Sequence, residues 1–257
     1  MLPHDEVGAG PAVVLLHAGV ADRTMWSEHL PSLGDAGFRA VAPDLPGFGE
    51  ATVAEGEQAP WTDVLATMDA LAIDRAALVG NSFGGAVALR VAAVAPERIT
   101  ALVVVSTPAP GIEPSPELEA VWQAEEAALE RGDIDGAVRA VVEGWTSPES
   151  PAALRDRVAA MQRHAFELQR DAGDVAEAPD PLDERPDALT GIAAPALVAV
   201  GASDLQDFHR GAEAIAQALP RSRVVTIDGA GHLVPLEAPA RFRELLLDFL
   251  REQQRPS

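Results

Sequence analysis

One serine, one histidine and one aspartate stand where nucleophilic catalysis would need them. Ser82 lies in Gly80-Asn81-Ser82-Phe83-Gly84-Gly85, a G-x-S-x-G pattern set between an apolar run at 76–79 and a helix-like segment at 83–95. A turn that sharp forces the serine into a strained backbone conformation, and glycine two residues to either side avoids a clash. It would lift the hydroxyl above a sheet and aim a helix N-terminus at it, which makes the Phe83 N–H a candidate oxyanion donor. The competing reading is a glycine-rich turn with a helix-capping serine. A serine nucleophile needs a base, and the base needs an orienting carboxylate. His232 follows the apolar run 224–227 in Asp228-Gly229-Ala230-Gly231-His232, and Asp204 follows 196–200 in Gly201-Ala202-Ser203-Asp204. Asp207 is the alternative to Asp204. A second oxyanion donor is expected from His17-Ala18-Gly19-Val20, at the N–H of Gly19 or Val20, with His17 bracing the loop. The turn Asp44-Leu45-Pro46-Gly47-Phe48-Gly49 reads as structural.

Positioning these residues falls to short elements. Apolar runs at 12–16, 39–42, 76–79, 101–105, 196–200 and 224–227 have the continuous hydrophobicity of buried parallel strands. Helix-like segments at 25–36, 61–72, 83–95, 208–219 and 239–252 alternate with them. The pattern predicts an α/β fold, a mostly parallel twisted sheet with helices on both faces. Ser82, Asp204 and His232 then all fall at the carboxyl ends of strands, where open parallel sheets bind ligands. The stretch 107–194 has no strand candidate; prolines open and close it, and amphipathic segments fill it. It reads as a helical insertion, a cap over one end of the sheet, with 1–106 and 195–257 forming the core. Within it Trp122, Trp145, Met161 and Phe166 are candidates to line a substrate pocket, although helical spacing also suits plain core packing.

Composition excludes other chemistries. The chain has 257 residues and no cysteine, which removes disulfides, thiolate metal sites and cysteine nucleophiles. It has no lysine, so its 19 basic residues are all arginine, and neither a phosphate-loop lysine nor a Schiff base is available. The six histidines show no paired ligand spacing, so no metal and no cofactor are expected. A formal net charge of -21 argues against nucleic acid and anionic membranes as partners. With no apolar run of about 18 residues and no basic, apolar leader, a cytoplasmic location is the expectation.

Taken together, His17-Ala18-Gly19 with Trp26, Asp44 through Gly49, Gly80 through Gly85, Gly201 through Asp204, and Gly229 through His232 resemble the α/β-hydrolase superfamily over nearly the whole chain. The resemblance is to the small esterase, enol-lactonase and cofactor-free haloperoxidase group. It implies an eight-strand-type sheet, a helical cap after the sixth strand, and a serine hydrolase cleaving a small-molecule ester or lactone through an acyl-enzyme. The same fold and triad also serve C–C bond hydrolysis, acyl transfer, perhydrolysis or a slow-turnover ligand receptor. Serine at the elbow counts against haloalkane dehalogenase and epoxide hydrolase, which need a carboxylate nucleophile. Two departures stand out. Ala18 interrupts the usual His-Gly, and only eleven residues precede the strand-like run at 12–16, so the first hairpin is expected to be a single strand or lost.

Overall fold

The computed structural model describes residues 1–53, 56–172 and 175–254. Seven strands form one sheet: β1 (His4–Val7), β2 (Ala12–Leu16), β3 (Arg39–Pro43), β4 (Ala76–Asn81), β5 (Ile99–Val105), β6 (Ala196–Gly201) and β7 (Ser222–Ile227). Their order is β1-β3-β2-β4-β5-β6-β7. Only β1 runs antiparallel, against β3; every other pair is parallel. One strand therefore stands where the family pattern has a hairpin, and the long helical segment follows the fifth strand of this chain.

Ten helices accompany the sheet among the described residues. Those before the long segment are α1 (Leu30–Asp35), α2 (Pro60–Ala70) and α3 (Phe83–Val94). Between β5 and β6 come α4 (Pro116–Glu130), α5 (Ile134–Trp145), α6 (Ala152–Ala172) and α7 (Pro181–Glu184). After β6 follow α8 (Gln206–Ala218), α9 (Val234–Glu237) and α10 (Pro239–Glu252). No helix among the described residues is long and apolar enough to cross a membrane.

The continuous strand hydrophobicity has its cause in burial on both faces. Successive strand side chains point to opposite sides. Val13 and Leu15 of β2 thus join Phe242, Leu246 and Phe249 of α10 in one core, while Val14 and Leu16 join Val64 of α2 and Phe208 of α8 in the other. The edge strand β7 departs from this expectation. Read from sequence as apolar on both faces, it leaves Val224 43% exposed; it is the last strand of the sheet and pairs with β6 alone among the described strands.

Side-chain caps start the helices after β5. The hydroxyl of Ser115 accepts from the Leu118 N–H at 3.3 Å, and Asp133 accepts from the Gly136 N–H at 2.8 Å. Each satisfies an amide that the first helical turn would leave unpaired. The Asp207 carboxylate of α8 accepts from the Ser115 N–H at 2.7 Å and its Oγ–H at 2.6 Å, tying the start of α4 to α8.

Candidate active site

The turn from β4 to α3 carries Ser82 at φ 53° and ψ -116°, a conformation that non-glycine residues rarely adopt. Its neighbours are packed backbone to backbone. A Cβ on Gly80 would lie 2.3 Å from the Gly84 carbonyl oxygen, and one on Gly84 would lie 2.3 Å from that of Leu16. The Ser82 N–H donates to Val105 O at 2.8 Å, so β5 holds the strained residue in place.

His232 reaches Ser82 from the loop after β7. The Ser82 hydroxyl donates to His232 Nε2 at 2.8 Å. On the other side of the ring, Nδ1–H donates to both Asp204 oxygens at 3.2 Å. His232 and the Asp204 side chain are buried. The close approach of β6 to the histidine loop makes this contact, since a Cβ on Gly201 would lie 2.0 Å from Gly231 O. The Ser203 N–H donates to Ala230 O at 3.0 Å across the same junction. Asp207 takes no part: its carboxylate is engaged by Ser115 and, at 2.8 Å, by Arg210. Burial pushes that carboxyl up, but the Ser115 and Arg210 hydrogen bonds outweigh it and hold it below the ordinary carboxylate range.

Four side chains support the histidine, and all but Trp145 were missed by sequence reasoning. Asn81 Nδ2–H donates to Val105 O and to His232 O, both at 3.1 Å, linking β4, β5 and the histidine loop. The Glu237 carboxylate accepts from the Gly231 N–H at 2.8 Å and the Leu233 N–H at 3.2 Å. Its other oxygen accepts from the Ser147 N–H at 2.7 Å and the Ser150 hydroxyl at 2.9 Å, both beyond the end of α5. Phe208 lies 4.3 Å from the His232 ring between centroids, and Trp145 lies 4.5 Å away. Apart from the Glu237 bonds to Gly231 and Leu233, these links join residues far apart in the chain, which no local pattern reveals.

Gly19, Val20 and Phe83 share one cavity of about 890 Å³ with Ser82 and His232. Among the described residues, the amides of Gly19, Val20 and Phe83 donate to no protein acceptor, as an oxyanion site requires. His17 is fully buried and braces this loop. Its Nε2 accepts from the Leu45 N–H at 2.9 Å, so Nδ1 carries the proton and donates to Ala18 O at 2.8 Å. Burial pushes its pKa below the ordinary 6.5. The turn at Asp44–Gly49 is organised around the buried Asp44 carboxylate, which accepts from the N–H groups of Arg23 and Glu50 at 2.8 Å each.

Of the four pocket candidates, Trp122 and Trp145 line the cavity. Met161 and Phe166 do not; they pack into the two cores, as their helical spacing allowed. Arg90 lines the cavity and was passed over by sequence, although Ser82, Ala86 and Arg90 recur at the four-residue spacing of one helix face. Gln162 lines it as well. No group of three potential ligand side chains that could hold a metal ion occurs among the described residues.

A parallel sheet with helices on both faces and a serine–histidine–aspartate chain at its carboxyl edge defines a class, and the comparisons agree with it. The model of the alpha/beta hydrolase fold matches residues 11–239, and the chain belongs to that family. A thermophilic esterase from Thermogutta terrifontis superposes with a TM-score of 0.80 at 27% identity, covering 99% of this chain and 94% of its own. The enol-lactonase from Burkholderia xenovorans LB400 gives 0.79 at 27% identity, covering 97% and 96%. A 2-hydroxy-6-oxo-6-phenylhexa-2,4-dienoate hydrolase of Comamonas testosteroni is 42% identical over 106 residues, 38% of this chain and 37% of that protein. The chain spans less than half the length of the first curated relatives it matches.

Proposed function

We propose that this protein is a serine hydrolase that cleaves a small-molecule carboxylic ester or lactone through an acyl-enzyme. The observation that carries the reading is the 2.8 Å hydrogen bond from Ser82 Oγ to His232 Nε2 in a cavity large enough for a small molecule. In this mechanism His232 takes the serine proton as Oγ attacks the carbonyl carbon. Asp204 holds the ring tautomer and stabilises the imidazolium, with Trp145 and Phe208 flanking it. The N–H of Phe83 and that of Gly19 or Val20 receive the developing oxyanion, each donor contributing on the order of 3 kcal/mol. His232 returns the proton to the leaving alkoxide, then activates water to release the acid. Residues 107–194 act as a cap, placing Trp122 and Trp145 over the reacting centre.

Similarity to an esterase and an enol-lactonase over nearly the full chain supports ester or lactone chemistry. A second reading, hydrolysis of a 2-hydroxy-6-oxo-dienoate, draws on the 42% identity to a hydrolase of that type over a shorter span. A fluorophosphonate probe tests the core of both: wild type should be labelled and Ser82→Ala should not, and equal labelling would remove Ser82 as nucleophile. Turnover of nitrophenyl esters against a dienoate then separates the two, the ester being the expected substrate.

A further inference from the structure

The tryptophans of this chain are unevenly placed. There are four, with seven phenylalanines and no tyrosine. Trp26 is fully buried in the core, while Trp61, Trp122 and Trp145 all line the cavity that holds Ser82. Two of these three are already committed. Trp145 packs against Phe208 and His232, at 6.0 and 4.5 Å between ring centroids, and Trp61 packs, partly buried, against the core.

Trp122, on α4, is different. It is 46% exposed, the one aromatic among the large apolar side chains that stay exposed in the described residues, and it makes no hydrogen bond or ring contact among them. Val175, 38% exposed, lines the same cavity. A volume of about 890 Å³ holds far more than a short acyl chain, and a substrate that reaches Trp122 takes exposed apolar surface out of water. The group best matched to a free indole face is another flat ring, because stacking adds attraction beyond the area buried.

Charge narrows that group further. Arg90, the one arginine in the lining among the described residues, forms an ion pair with Asp180 and donates to Ala86 O at 2.9 Å. Glu125 follows Trp122 by one helical turn and lines the cavity with it. An anionic group beside the indole would therefore meet a carboxylate, with the nearest guanidinium in the lining already paired.

We propose that Trp122 contacts the substrate and sets its class: an ester or lactone carrying an uncharged, flat aromatic group that stacks on the indole. The inference rests on the ester or lactone reading above.

Two matched pairs of esters, followed by acid release in a pH-stat, place the ring on either side of the scissile bond. They are ethyl 3-phenylpropanoate against ethyl 3-cyclohexylpropanoate, and 2-phenylethyl against 2-cyclohexylethyl hexanoate. A cavity that selects apolar bulk alone favours cyclohexyl, the more apolar ring, so a phenyl preference reports stacking. The expected kcat/KM for the phenyl ester exceeds that of its partner by about three- to tenfold in at least one pair. Trp122→Phe should keep that ratio, and Trp122→Leu should bring it to one or below with the melting temperature unchanged. Ratios of one or less in both pairs for wild type, or a phenyl preference that survives Trp122→Leu, would overturn the inference while leaving ester hydrolysis in place. A lowered melting temperature with both members of each pair slowed alike would make Trp122 structural and overturn it too. Labelling of Ser82 with turnover of none of the four esters would sink the ester reading itself, and this inference with it.

Discussion

The cavity has two walls of different construction. The wall carrying Ser82, Asp204 and His232 is made of strand ends joined by main-chain contact: Gly80 against Gly84, Gly84 against Leu16, Gly201 against Gly231. The opposite wall is made of side chains projected from helices, Trp122 and Glu125 from α4, Trp145 from α5 and Gln162 from α6. A backbone-packed wall holds reacting atoms in place but tolerates almost no substitution. Helical side chains can change without moving the sheet. Turnover should therefore reside in the first wall and choice of substrate in the second, and the two should fail differently when altered.

The strongest attack on this division is Ser82→Ala. It should lower kcat/KM on every ester by about 10⁴-fold or more with the fold intact, measured by ester assay and circular dichroism. Residual activity within tenfold of wild type would mean that the strand-end wall does not house the chemistry. Next comes the pair Asp204→Asn and Asp207→Asn. The first should cost on the order of 10³- to 10⁴-fold in kcat. The second should lower stability by about 1–3 kcal/mol in denaturant melts and leave kcat within a few fold, because its hydrogen bonds reach Ser115 and Arg210 and not His232.

Glu237 sharpens the comparison because it bridges the walls. Glu237→Ala removes the acceptor of the Gly231, Leu233, Ser147 and Ser150 bonds. A loosened base should slow kcat by roughly 10- to 100-fold while substrate preference is unchanged. An altered preference with kcat intact would assign Glu237 to the helical wall alone.

The smallest effect concerns pH. Burial holds His17 and His29 below the ordinary 6.5 in the folded state. The unfolded chain therefore binds protons that the native one refuses as pH falls. Their stabilising contribution is complete above about pH 6.5–7 and is lost as pH drops below that range. Thermal melts should show Tm falling by several degrees from pH 7 to pH 5, with a shallower slope in His17→Gln. Identical slopes would assign the effect to other groups.

Much of the strand-end wall was legible before any coordinates. The G-x-S-x-G pattern, its place between strand and helix, and the positions of Asp204 and His232 after later strands depend on local chain geometry, which short motifs encode. The boundaries of β2, β4, β5 and β6 follow the apolar runs to within two residues for the same reason. The helical wall was only half legible. Trp122, Trp145, Met161 and Phe166 all sit at core-like helical spacing, and periodicity cannot say which apolar residue faces a cavity and which a neighbouring helix.

Sequence alone determined the fold class, the order of the elements, and the candidate nucleophile and base. Each of these is written in residues a few positions apart. Tertiary structure alone decided between Asp204 and Asp207, because only packing β6 against the histidine loop shows which carboxylate meets His232 Nδ1. It also decided that Arg90 is paired and that Glu237 joins the two walls. Those are contacts between distant segments, and no local pattern records them.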